Sequence, residues 1–356
     1  MSIKTSVGTA ADVQADAGPA RSLAPSRPGL AIGLVGAVLV LLALVAASLA
    51  FGAEDIAPGE VWRALVHGGG GDVDVIVRHL RVPRTVLGIL AGAALGLAGA
   101  LMQALSRNPL ADPGILGVNA GASLAVVIAM AFFSIETLSG YVWFALVGAS
   151  IATLMAYGLG SAGQAGVSPA RLALAGAAIS AVLTGLISAI VLVSPHAFNG
   201  FRSWSVGTLA DRNGQVVTQV LPFIAVGVVM SLGLARSLNA LALGDDAARG
   251  LGAHVARTRV LGVVATTLLC GAATAAVGPI GFVGLVVPHM VRSFTGPDHR
   301  WLLPYCLVAG PALMLAADVT GRLLARPGEI GTSIVTAAVG APVFIALVRR
   351  RRMAEL

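Results

Sequence analysis

Residues able to do chemistry are scarce in this 356-residue chain, and their positions narrow what they can do. Proton- or ion-driven carriers keep ionisable groups near the bilayer midplane, where such groups are expensive and therefore functional by default. Here the candidates, Asp112 and Asp318, fall at the ends of apolar spans, and no carboxylate or lysine lies in a span interior. Lys4 is the only lysine, so no P-loop, whose lysine must reach the β- and γ-phosphates, can be built, and no embedded Schiff base can form. There is no G-x-S-x-G elbow and no H-E-x-x-H helix. Cys270 and Cys306 sit in apolar runs without CxxC spacing or a histidine neighbour, so they read as small core residues and not as a disulfide or a metal site. The chain is expected to have no catalytic residues, no metal and no cofactor of its own. A transport role would require a partner that supplies the energy.

Four polar patterns remain. In "HLRVPR", Arg81 and Arg84 flank Pro83, and "ADVTGRLLARPGE" supplies Arg322 and Arg326; together they could dock an acidic soluble partner through bidentate carboxylate pairing. Ser180, Thr184 and Ser188 recur every fourth residue, a hydroxyl stripe that is cheap to bury because each hydroxyl can bond back to its own helix, and that could line a passage. Asn119 and Ser123 stand one turn apart and could face a cavity. The fourth pattern is "LALGDDAARGLGAHVARTR", 241–259, where Asp245 after Gly244 can cap a short helix carrying Ala247, Ala248 and Leu251, interrupted at Gly250 and Gly252 before a second turn at His254 and Val255. Helices this short are marginal alone and become credible when seated in a groove on another protein.

The elements that must position these residues follow from composition. Only 11% of the chain is charged and 57% is hydrophobic, against roughly 25% charge in a soluble domain, so the chain reads as an all-α polytopic membrane protein. About 20 apolar residues span a bilayer. Reading between charges predicts ten spans, near 30–51, 85–106, 114–135, 138–160, 172–194, 216–235, 260–277, 279–291, 301–317 and 330–348. The eighth is short and opens with Gly278-Pro279, which predicts a broken or re-entrant helix. Residues 1–28 read as a disordered tail, 29–348 as the membrane domain and 349–356 as a basic tail whose "RRRR" anchors at lipid headgroups. Counting basic residues in alternate loops gives fifteen on one side and eight on the other, which places both termini and the 241–259 segment in the cytoplasm. The net charge of +7 follows the same bias and implies no nucleic acid. Gly88, Gly92, Gly96 and Ala100 place small residues on one helix face, which predicts close helix contact. In "SRNPLADPGILGVNAGAS", 106–123, Pro109 and Pro113 break the helix and Asp112 caps the next one.

"LRVPRTVLGILAGAALGLAGALMQALSRNPLADPGILGVNAGAS", "WSVGTL", "LGDDAARGLGAHV", "GPIGFVGLVVPHMVR" and "DVTGRLLARPGEIGTSIVTAAVGAPVFI" occur in this order. On these residues the chain resembles the FecCD family, membrane subunits of ABC importers for iron-siderophores, haem and cobalamin. The resemblance implies a BtuC-like type II ABC importer permease of about ten transmembrane helices in the bacterial cytoplasmic membrane. It implies pairing with a second permease subunit, two cytoplasmic ATPases that bind the ATP and magnesium, and an extracytoplasmic solute-binding protein that delivers a ferric siderophore, with haem or cobalamin as the alternative cargo. It assigns ATPase coupling to Gly244, Asp245, Ala247, Leu251 and Gly252, docking of the binding protein to Arg81, Arg84 and Arg322, and the translocation path to the stripe at Ser180, Thr184 and Ser188 with the stretch from Phe201 to Leu209.

Overall fold

The structure, a computed structural model, describes residues 27–354 except 53, 69, 136 and 162–168. The expected tail therefore lies outside the described residues as far as residue 26, and Arg27 and Pro28 already belong to the first helix. The described residues form helices and connecting turns, with no strand among them. In chain order these are α1 (Arg27–Ala50), α2 (Pro58–Val66), α3 (Asp72–Val75), α4 (Val82–Ser106), α5 (Val118–Phe133), α6 (Leu138–Ser161), α7 (Pro169–Val193) and α8 (Pro195–Ser205). There follow α9 (Gly214–Gly233), α10 (Ala235–Ala242), α11 (Asp245–Gly250), α12 (Val255–Val277), α13 (Val283–Thr295), α14 (His299–Leu324) and α15 (Thr332–Ala354). A π-helical stretch, Ile76–Arg81, leads into α4.

Each of the ten expected spans falls on a helix: α1, α4, α5, α6, α7, α9, α12, α13, α14 and α15. Seven of these are long and apolar enough to cross a bilayer, and α5, α13 and α15 are shorter or less apolar. The eighth span is indeed broken. Helix α12 stops at Gly278, whose φ of 79° suits a residue without a Cβ, and residues 279–282 run on non-helically before α13 begins. Helix α15 continues past the expected boundary at 348 to Ala354. The short helices α2, α3 and α10 were not expected; α2 and α10 are amphipathic and too polar to register as spans, and α3 is a single turn, Asp72–Val75.

Helix α4 is the axis of the bundle, buried along most of its length and packed against α14, α12, α13 and α9. Between helices in lipid there is little hydrophobic driving force, so close approach and van der Waals contact must hold them together. The glycine face supplies that approach. A Cβ on Gly92 would stand 2.6 Å from the Gly310 carbonyl oxygen, and one on Gly99 would stand 1.8 Å from that of Gly284. Gly99→Ala is therefore expected to push α13 off α4 and to cost about 1–3 kcal/mol, read as a lower unfolding temperature in detergent. Gly36→Ala, where an added Cβ meets nothing within 4 Å, serves as the neutral control.

The breaks between helices are equally specific. Arg107 ends α4 in a left-handed conformation, and the Asp112 carboxylate accepts from the Gly114 amide at 2.7 Å to cap the 3-10 turn Pro113–Leu116, as expected from "ADPG". At the opposite end, "WSVGTL", "GPIGF" and "GTS" converge. Thr208 N–H donates to Val277 O at 2.9 Å, Ser333 N–H donates to Gly207 O at 3.1 Å, and a Cβ on Gly278 would stand 2.4 Å from Trp204 O.

Candidate functional site

At one end of the bundle, the short helix α11 is fixed from below and bare above. Ala248 is its buried residue, while Ala247, Leu251 and the preceding Leu243 are exposed, the two leucines by 67% and 66%. Single apolar side chains at a polar rim are common on surfaces, but Ala247 and Leu251, four residues apart, with Leu243 just ahead of the helix, give this segment apolar contacts that a groove would cover. Gly244, at φ 108°, and Gly252, at φ 79°, set the turns that enter and leave the helix.

Asp245 does not cap α11. Gly244 occupies the N-cap position without a side-chain bond, and the Asp245 carboxylate instead pairs with Arg107 at the end of α4 and, at 2.9 Å, with Arg259 in the first turns of α12. Arg107 also donates to Leu241 O of α10 at 3.1 Å. The expected second turn at His254 and Val255 is the start of α12 itself and not a separate helix. Behind α11, α10 is tied to α14: Asn239 donates to Asp298 at 2.6 Å and accepts from the His299 amide at 2.9 Å. The Arg300 guanidinium, followed by the Arg300 backbone N–H and then the Asn239 amide, outweighs burial and holds the Asp298 carboxyl below the usual carboxylate range, so this tie persists above about pH 4 and is lost only as the medium falls well below that value. Thus Asp245 ties α11 to the end of α4 and to α12, and Arg107 and Asn239 tie the neighbouring α10 to α4 and α14.

The opposite end gathers the expected docking arginines around one cavity of about 540 Å³, lined also by Glu54, Arg212 and Glu329. Their individual placements differ from a set of surface cations. Arg81 is 4% exposed and donates to Leu49 O, Ala50 O and Glu54 O at 2.7–2.8 Å. Arg322 is 2% exposed and donates to Ser48 O at 3.0 Å and Phe51 O at 2.8 Å. The last carbonyls of a helix have no partner within it, so these two guanidinium groups cap the C-terminal end of α1. Arg326 donates to Gly52 O at 2.8 Å and pairs with Asp55 at 2.7 Å, extending the same collar.

Arg84 is the member that pairs with two carboxylates at once. Its Nε and Nη2 reach Asp318 at 2.8–3.2 Å, and its Nη1 reaches both oxygens of Glu329 at 2.8 and 3.0 Å. Asp318, 1% exposed, further accepts from Arg322 at 2.9 Å and from the Thr332 hydroxyl at 3.0 Å. One buried carboxylate thus joins α4, α14 and α15. This is a structural hub at a helix end, the opposite of the midplane placement a proton relay requires.

The path residues separate into two groups. On α7, Thr184 donates to Ser180 O at 2.7 Å and Ser188 to Thr184 O at 3.0 Å, and both hydroxyl-bearing residues are exposed on a face that no other described helix covers. Asn119 points the other way, accepting from Thr274 on α12 at 2.8 Å, and Ser123 is buried. Phe201 packs beside Trp204 in and at the end of α8, with Leu209 buried beyond it. The structure does not bring Asn119 and Ser123 to the exposed stripe.

Arg107, Arg259 and Glu329 were not among the expected site residues. Arg322 four residues after Asp318 is a helical ion-pair spacing that sequence alone displays. The long-range partners carry no such signal, since Arg84 and Glu329 are 245 residues apart.

Residues 39–350 match the model of the FecCD transport family. The chain is 48% identical over 322 residues to the ferric enterobactin transport system permease protein FepD of Escherichia coli (strain K12), covering 90% of this chain and 96% of that one. It is 35% identical over 333 residues to the hemin transport system permease protein HmuU of Yersinia pestis, covering 92% and 97%. A solved structure described as an inward-facing metal-chelate type ABC transporter superposes with a TM-score of 0.78 at 28% identity, covering 90% of this chain and 99% of that chain. With a family model and a solved fold each spanning nearly the whole membrane domain, the chain belongs to the FecCD transport family and has the all-helical fold of an ABC-transporter permease.

Proposed function

We propose that this chain is the permease subunit of an importer that moves a ferric siderophore across the bacterial cytoplasmic membrane, with ATP hydrolysed on separate subunits. The observation that carries the reading is α11: a short helix with Ala247 exposed and flanked by exposed Leu243 and Leu251, held by Asp245 to Arg107 and Arg259. Such a helix can receive a push from outside the membrane and deliver it to α4 and α12 as a rigid lever. Two ATPase subunits that bind ATP and magnesium would grip this face, one beneath each permease subunit. Closing on ATP favours one arrangement of the bundle over the other, and that differential contact is what drives alternating access.

The covering partner for α7 is a second permease subunit, identical or paralogous, so that the hydroxyl stripe at Ser180, Thr184 and Ser188 lines the passage between mates. A passage with hydroxyls and no fixed charge suits a bulky chelate, which must be released as readily as it is admitted. The 48% identity to a ferric enterobactin permease favours a ferric siderophore. On this reading the Arg84 end faces outward and receives an acidic solute-binding protein, while both termini lie inside near the lipid headgroups.

Cargo is tested by uptake in cells lacking the chain and restored with it, supplied with radiolabelled iron as ferric enterobactin or with hemin. Restoration of the first alone is the expected result. Restoration of hemin uptake alone would reassign the cargo while leaving the permease role intact.

A further inference from the structure

We infer that Glu329 is an internal stand-in for the carboxylate of the docking protein, and that docking exchanges one carboxylate for another on Arg84; this rests on the docking role proposed above. The acceptors around Arg81, Arg84 and Arg322 are not equivalent. Asp318 is 1% exposed and accepts from Arg84, Arg322 and Thr332 together, so removing it would strand two guanidinium groups. The backbone carbonyls at the end of α1 are fixed by the helix and fully engaged by Arg81 and Arg322. Among the partners of the three docking arginines, Glu329 is the displaceable one. Its side chain is 28% exposed, it sits in the 325–331 turn between Gly328 and Gly331, and among the described residues Arg84 is its bonded partner.

Arg84 is likewise the only one of the three docking arginines able to offer donors outward. Its Nη1 is held by Glu329 and by nothing deeper, whereas the donors of Arg81 bond backbone and those of Arg322 are turned inward onto α1 and Asp318. The 540 Å³ cavity opens beside this nitrogen, with Glu329 and Arg84 both on its wall, and has room for an incoming carboxylate. Carboxylates at hydrogen-bonding distance to the same nitrogen repel one another, so the resident glutamate must swing out as the visitor arrives. Until then it keeps Arg84 neutralised, oriented and unavailable to other anions. Glu329 is therefore a positioning residue that sets both the selectivity and the ceiling of the docking affinity.

The test measures affinity between the complete transporter in lipid nanodiscs and the purified solute-binding protein that stimulates its uptake. Glu329→Gln, which keeps the shape and removes the charge, should tighten docking by about threefold to tenfold. Arg84→Gln should weaken it by about tenfold or more. Unchanged or weaker docking in Glu329→Gln, beside weakened docking in Arg84→Gln, would overturn the stand-in role and leave the docking role standing. Unchanged affinity in both would overturn the docking role and the inference together. Glu329→Ala is run in parallel, with thermal unfolding of every variant, so that a folding defect in one leaves the other to decide.

Discussion

Leu251→Asp is expected to abolish recovery of the ATPase subunit with the solubilised chain while leaving the bundle intact. The side chain is 67% exposed, so the substitution removes no core contact within the subunit. In a partner's groove the same change buries an unpaired carboxylate, a cost of about 3–5 kcal/mol and so a loss of more than a hundredfold in affinity. Leu251→Ala should lose far less, about 1–2 kcal/mol from apolar area alone. Co-purification with a tagged chain, alongside thermal unfolding, separates the cases. Full recovery of the ATPase with Leu251→Asp would remove α11 from the interface.

The second large effect is expected at Asp318. Asp318→Ala leaves Arg322 and Arg84 without their shared buried counter-charge, and the lost stability should be about 3–5 kcal/mol, seen as a large fall in unfolding temperature and in purified yield. The damage is not local: without Asp318 the collar that caps α1 and joins α4, α14 and α15 loses its common acceptor. Asp55→Ala, at a carboxylate 84% exposed, should leave the unfolding temperature nearly unchanged. Equal and small effects at both positions would show that the network contributes nothing to the fold.

The helical architecture was legible because bilayer length, charge-free windows and glycine spacing are local properties of the chain. The break at Gly278-Pro279 and the cap at Asp112 were legible for the same reason: each depends on residues within one turn. The sites were read less completely. Leu251 and Ala247 stood out as apolar residues in a polar stretch, but Asp245 looked like a cap because the sequence cannot show Arg107, 138 residues earlier, reaching across to it. Arg81 and Arg322 looked like surface cations for the equivalent reason. Their acceptors are backbone carbonyls of α1, which leave no mark on the sequence at all. Asn119 had the right depth to face a cavity, yet the rotation of α5 that directs it to Thr274 is set by packing across three helices and not by its own neighbours.

The Asp245 cluster and the Asp318 hub meet at the two ends of one helix, α4. Helix α4 carries Arg84 at its start and meets Arg107 at its finish, with a glycine face locked to α14 between them. On the proposed mechanism, a displacement of α11 enters α4 through the Asp245–Arg107 pair and is carried along α4 by close backbone contacts. This makes α4 a rod between the two polar clusters.

The most direct measurement is uptake of labelled chelate into proteoliposomes holding the permease alone, or the permease with its ATPase, in the presence and absence of ATP and of an imposed proton gradient. Accumulation against a gradient should require both the ATPase and ATP and should be indifferent to protons. Accumulation by the permease alone, driven by the proton gradient, would contradict the account.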